Sequence, residues 1–302
     1  TNATPMVNAP TLGADARTAV LLAGVASCTT LACTSPKLPL GPASGYALAL
    51  LINLAAVSIP GRFDGDPKIL AAPPWPTLLN PAGWAFAIWA PIYLGELAGA
   101  ALVVSRGEAS AAVSSSNPAW LAANIAQALW CAAYRPWALD KLWLPTTILA
   151  TTAGCLALAQ LRLVHAIPSD APRLIRWSLM LPRSLHLGWV CAASLVNLSA
   201  WVGYQRFGPT AALATAGASV GAAALLGCLF ATAGLPTATL ALAWALLALS
   251  SGKPVGADAI ALGGAGSRAL GRLAIAESAT AFALVGAVIA VKMGPSLAHR
   301  AK

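Results

Sequence analysis

Charge is what this chain most lacks. Only 9% of its 302 residues are Asp, Glu, Lys or Arg, against about 25% in an ordinary soluble domain. Acidic residues are scarcer than basic ones, 9 against 18, and no paired carboxylates stand out for acid–base chemistry. There are three histidines, and no Ser–His–Asp set suggests itself. The six cysteines, Cys28, Cys33, Cys131, Cys155, Cys191 and Cys228, form no Cys-x-x-Cys pair. That excludes zinc-type spacing and a disulfide frame, and leaves buried free thiols as the expectation. The glycines at 263–266 follow no strand, so they are a flexible loop and not a phosphate cradle. The sequence thus offers no catalytic residue and no metal site. No basic patch interleaved with aromatics sits on a polar segment, which argues against a nucleic-acid partner.

Apolar residues fill the space that charge leaves. They make up 58% of the chain, and the mean hydropathy is +0.74. No soluble core could hide that much apolar surface, so the bilayer is the solvent for most side chains. The expectation is an all-α integral membrane protein. Its formal charge of +9 then belongs to loops and ends, where it sets topology and meets lipid headgroups.

A membrane-crossing helix needs about 20 mostly apolar residues. Eight segments approach this: 45–59, 84–104, 119–134, 142–164, 184–204, 210–233, 236–250 and 270–293. The first and seventh are short. Turn chemistry separates them, as at Pro60-Gly61, Arg135-Pro136 and Gly208-Pro209. Asn80-Pro81 and Asn117-Pro118 read as a cap residue before a first-turn proline. Gly217, Gly221, Ala224 and Gly227 would let helices approach closely, so 210–250 reads as packing material. Residues 1–44 stand apart. The apolar run 18–33 is rich in Thr, Gly and Ala, and Pro36, Pro39 and Pro42 follow it. It is expected to be poorly regular or interfacial, with an extra membrane helix or a presequence remnant as alternatives.

The most informative stretch is 80–95, where Trp84, Phe86, Trp89 and Tyr93 crowd the start of a span. Trp84, Trp89 and Tyr93 fall near one face at helical spacing. Such a cluster is either an interface anchor or the wall of a ligand pocket. Asn124, Gln127 and Asn197 are uncharged but costly in hydrocarbon unless paired. They either bond between helices or rim a pocket. Glu96 and Glu277 are acidic residues inside apolar spans, and an intramembrane carboxylate is a functional candidate by default. His186, near Arg183, reads as an interfacial histidine or as a ligand for a metal-centred pigment.

Three stretches carry a family resemblance: Pro81-Ala-Gly-Trp-Ala-Phe-Ala-Ile-Trp-Ala-Pro-Ile-Tyr-Leu-Gly95, Leu121-Ala-Ala-Asn-Ile-Ala-Gln-Ala-Leu-Trp130, and Leu181-Pro-Arg-Ser-Leu-His-Leu-Gly-Trp-Val190 with its continuation to Trp201. In this order they resemble the tryptophan-rich sensory proteins of the TspO/translocator-protein group, in a long form with extra C-terminal helices. The likeness covers about residues 45–250. It implies a five-helix bundle over 45–206, three added helices over 207–302, and a separate N-terminal segment over 1–44. It also implies a pocket for tetrapyrroles or sterol-like lipids.

On this resemblance the pocket candidates are Trp84, Phe86, Trp89, Tyr93, Asn124, Gln127, Trp130, Trp189, Asn197 and Trp201. Glu96 and His186 are candidate ligands of a pigment metal. Gln127 departs from the pattern, standing where a tryptophan is usual. The implied cofactor is a tetrapyrrole, porphyrin or chlorophyll, with lipid, sterol or carotenoid as alternatives. The implied partners are membrane lipid and an apolar ligand. The implied role is sensing, transport or pigment handling. The alternative is a structural, pigment- or lipid-holding subunit among the other subunits of a larger membrane complex, such as a plastid photosynthetic supercomplex. A plastid thylakoid is favoured over a mitochondrion.

Overall fold

Proline and glycine set the helix boundaries. The computed structural model describes residues 13–168, 171–256, 266, 268–269 and 271–275. The long helices are α1 (Ala14–Thr34), α2 (Pro42–Ser58), α3 (Trp89–Ser105), α4 (Asn117–Ala133), α5 (Trp143–Ala166), α6 (Arg173–Tyr204), α7 (Pro209–Thr232) and α8 (Pro236–Ser251). Pro42, Pro118, Pro209 and Pro236 lie in first turns, where the missing N–H is not needed and the fixed φ already fits. Gly208 and Gly234, with φ of 95° and 79°, make the turns on either side of α7. Among the described residues there is no strand, only one antiparallel bridge between Thr77 and Val255.

Helices α1, α5, α6, α7 and the segment Gly83–Ser105 are long and apolar enough to cross a membrane. Helices α2 and α8 are shorter and equally apolar in character. The chain is an all-helical membrane protein.

Five helices close a ring: α2 packs on α4, α4 on α5, α5 on α6, α6 on α3, and α3 back on α2. Helix α1 covers α4 and α5 from outside, whereas α7 and α8 cover α6. Helix α4 therefore has neighbours on all sides, and thirteen of its 17 residues are buried. At the α6–α8 contact a Cβ on Gly188 would collide with the Ala238 carbonyl oxygen. Only glycine permits that approach, which seats α8 against the ring.

The structure corrects several sequence expectations. Residues 18–33 are not irregular but belong to the regular helix α1. Thr18, Ser27, Thr29 and Thr34 return their hydroxyls to carbonyls four residues earlier, so their polar atoms are satisfied without water. Helix α6 begins at Arg173, not near residue 184, and runs through Pro182. Asn117 does not cap α4; its amide donates to the Pro42 carbonyl at 2.7 Å, tying α4 to α2. Pro81 starts no helix. The chain instead enters α3 through a 3-10 turn, Gly83–Ile88. Gly217 and Gly221 face open space, where an added Cβ would meet nothing within 4 Å. They make no packing contact among the described residues. Of the expected span 270–293, only 271–275 are described, as helix; Glu277 lies outside the described residues.

Candidate functional site

Between the ring helices lies a cleft with about 950 Å³ of unfilled space, counting its open mouth. Only about 90 Å³ of it is free to the centre of a water-sized molecule, so the cleft is narrow as it stands and a ligand the size of a tetrapyrrole has to widen it. Phe86 and Trp89 come from the start of α3, Gln127 and Trp130 from α4, Leu149 from α5, and Trp189, Val196 and Asn197 from α6. Ala245 and Leu249 of α8 close one side. The rings meet edge to face: Phe86 with Trp189 at 5.6 Å and Trp89 with Trp189 at 6.5 Å. Such contacts hold ring faces at fixed angles and leave flat apolar surfaces towards the space.

A loop roofs the cleft. Residues 60–82 join α2 to the turn before α3 and place Phe63, Ile69, Trp75 and Thr77 over the opening. Phe63 packs edge-on against Trp75 and Tyr134, at 5.1 and 5.2 Å. Tyr134 in turn stacks on Trp130 at 4.9 Å. The Thr77–Val255 bridge pins the loop to the segment after α8, with backbone bonds of 2.7 and 2.8 Å. At Gly203 of α6 the Pro76 carbonyl comes so close that a Cβ would overlap it. Arg62 pairs with Asp64 at 2.8 Å beside the mouth. Arg62 lies outside the membrane-spanning helices; desolvation, the largest single effect, lowers its pKa, but the Asp64 hydrogen bond and charge, with smaller contributions, together raise it above its ordinary value.

Below the cleft floor the ring encloses polar groups. His186 is wholly buried between the edges of Trp89 and Trp120. Its Nδ1 lies 2.8 Å from Glu96 Oε1 and its Nε2 lies 2.8 Å from Gln127 Oε1. One turn earlier, Arg183 is 1% exposed. Its guanidinium lies over the rings of Tyr46 and Trp120, at 4.5 and 4.3 Å, and donates to Ser116 Oγ at 2.9 Å. Glu96 is within electrostatic reach of it. Two aromatic faces and an opposite charge offset part of the desolvation cost of a buried cation.

The structure gathers six of the expected pocket residues around the cleft: Phe86, Trp89, Gln127, Trp130, Trp189 and Asn197. Four others lie elsewhere. Trp84 is 43% exposed and meets Trp244 edge-on at 4.7 Å. It stands five positions before Trp89, about 140° round an α-helix and about 120° round a 3-10 helix, so neither geometry puts the two rings on one face. Tyr93 stacks on Trp89 at 5.2 Å, with its hydroxyl 3.5 Å from Asn53. Asn124 accepts from Asn53 at 3.0 Å and donates to the Trp120 carbonyl at 2.8 Å, so it bonds between helices. Trp201 packs behind the roof, beside the Phe63–Trp75 cluster.

His186 is not interfacial, because α6 starts thirteen residues before it and carries it into the bundle core. Nor does it suit a pigment metal: both ring nitrogens are engaged, and neither it nor Glu96 lines the cleft. Sequence reasoning missed Phe63, Trp75 and Tyr134. The signal for the first two was present: large aromatics in a Pro-, Gly- and Asp-rich connection, where a plain loop has no use for them.

The family model of the TSPO-like proteins matches residues 43–276. No curated protein and no solved structure matches the chain. The matched region contains the whole five-helix ring, the roofing loop, and α7 and α8. The chain belongs to the TSPO-like family of membrane proteins.

Proposed function

We propose that the roofed cleft binds a flat, largely apolar ligand of the tetrapyrrole class, for sensing, transport or handling of pigment within the membrane. One observation carries this reading: Phe86, Trp89, Trp130 and Trp189 surround a cleft whose lining is mostly apolar. Flat aromatic walls favour a planar ring system through offset and edge contacts. The buried Trp130 Nε1 has no hydrogen-bond partner among the described residues, so the wall also holds an unmet donor for a ligand edge. Sterol-like lipid and carotenoid are the neighbouring ligand classes. A tetrapyrrole held here takes no axial ligand from His186 or Glu96, and its binding rests on stacking and edge contacts.

The test is quenching of intrinsic tryptophan fluorescence in the purified full chain by protoporphyrin, beside a melting curve. Trp89→Ala is expected to weaken binding about two- to tenfold, the equivalent of one aromatic contact. Trp177→Ala removes a ring on the outer face of α6 that is 58% exposed, and is expected to leave affinity unchanged. Equal affinity in wild type and Trp89→Ala, with only the melting curve altered, would make the cluster structural.

A second reading has its own observation. Gly217 and Gly221 turn outward from α7 into open space, and small residues at such spacing let another helix approach. This fits a subunit that holds pigment or lipid inside a larger membrane complex. Purification from native membranes separates the two. A pigment-bearing particle with neighbours favours the subunit, and a free chain carrying ligand favours the binder.

A further inference from the structure

At the inner end of the cleft an amide group is only half partnered. Gln127 is 1% exposed and lines the cleft, with Trp89, Trp130 and Trp189 around it. Its Oε1 sits 2.8 Å from His186 Nε2. A carboxamide oxygen only accepts, so Nε2 carries the hydrogen and donates it. The other end of the same planar group, the Gln127 N–H2, makes no hydrogen bond among the described residues.

The histidine is fixed in turn by Glu96 Oε1, 2.8 Å from Nδ1. An unpartnered N–H donor in apolar surroundings gains from a hydrogen-bond acceptor that the ligand brings to it.

We propose that Gln127 is the specificity-determining residue of the cleft. It selects flat apolar ligands that bring a hydrogen-bond acceptor, a ring carbonyl or a carboxylate, to the inner end. His186 and Glu96 are positioning residues that keep the carboxamide nitrogen turned to the ligand. This rests on the ligand reading of the cleft and adds a chemical preference to it.

The test uses the detergent-solubilised full chain and three fluorescent probes of nearly equal shape: 1-pyrenecarboxaldehyde, which only accepts; 1-methylpyrene, which does neither; and 1-aminopyrene, which mainly donates. The expected result is an affinity for the aldehyde about three- to tenfold above that for methylpyrene, the worth of one hydrogen bond. Aminopyrene gains nothing over methylpyrene. In Gln127→Leu the aldehyde falls to the methylpyrene level, and methylpyrene itself is unaffected. Glu96→Gln keeps the preference, because its amide still donates to Nδ1 and leaves Nε2 protonated. Glu96→Ala loses it.

Because the Trp130 indole N–H is a second unmet donor in the wall, the preference is assigned to Gln127 by its loss in Gln127→Leu and its survival in Trp130→Phe, and loss in Trp130→Phe alone overturns the proposal. Equal affinity for all three probes overturns the proposal, as does tighter binding of aminopyrene, which would mean the opposite amide orientation. Failure of the underlying reading looks different: no probe binds, or Trp89→Ala leaves methylpyrene affinity untouched.

Discussion

Arg183 lies between the rings of Tyr46 and Trp120 with a single hydrogen-bond acceptor, Ser116 Oγ. Its Nε and Nη2 have no protein partner among the described residues. Its retention inside the ring depends on two aromatic faces and on the Glu96 carboxylate. Removing one member of such a set strands the other. Arg183→Met is therefore expected to destabilise the protein by about 3–5 kcal/mol. Arg183→Lys should cost less but not nothing, about 1–2 kcal/mol, because a point charge cannot stack flat between two rings. The double variant Arg183→Met/Glu96→Gln should lose less than the sum of its parts, since no buried charge is left alone. Thermal melts of the four proteins in detergent read this out. Strict additivity would show that Arg183 and Glu96 do not interact.

At the scale of elements, the roof over the cleft is held by backbone against backbone. Pro76 of the loop lies on α6 where Gly203 has no side chain. A Cβ there meets a carbonyl that cannot swing aside. Gly203→Ala should lift the loop and weaken porphyrin binding about tenfold or more, while the helices keep their far-ultraviolet circular dichroism. Gly217→Ala is the matching control. It adds a methyl to open space and removes a helix-interior glycine, so it should be neutral or stabilise by up to about 1 kcal/mol. Equal effects of the two substitutions on binding would mean that the roof does not shape the site.

The same elements show what could be read from the sequence. Spans α3, α4, α5, α7 and α8 were legible within a few residues, because apolar length and proline–glycine punctuation are local signals. The regularity of α1 was hidden: Thr and Ser suggest irregularity until their hydroxyls are seen bonding back along the helix. The true start of α6 was hidden by Arg173, Arg176 and Arg183, which read as a headgroup zone. Only the fold reveals that Arg183 has two rings to lie between. For the site, aromatic type and order pointed to Trp89, Trp130 and Trp189. Trp84 was misplaced because five residues carry it far round the helix from Trp89 in either helical geometry. Long-range pairing was not legible at all. No spacing rule links Glu96, Gln127 and His186, or Asn53 and Asn124.

For the whole molecule, the decisive boundary is between ring and lipid. Leu94, Val104, Leu225 and Leu229 stand on the outside of the bundle and are strongly exposed. In water such a belt would drive aggregation; in a bilayer it is the expected outer surface. A charge placed there should therefore be expensive in proportion to depth. Leu225, on α7, is 62% exposed. Leu225→Arg is expected to lower membrane integration by about 2–3.5 kcal/mol if it lies near the midplane, and by less if the side chain can reach a headgroup. Leu40, in the short connection before α2, is exposed but not within a span, and Leu40→Arg should change integration by less than about 1 kcal/mol. The measurement is the carbonate-resistant fraction of each variant in membranes, with the size of the solubilised particle recorded alongside. Loss of integration in Leu225→Arg alone places α7 against lipid. Normal integration with a smaller particle would instead place α7, with its outward Gly217 and Gly221, against another protein, and would move the subunit reading ahead of the free binder. If the two arginine variants behave alike in both readouts, the outward face of α7 meets neither lipid nor protein.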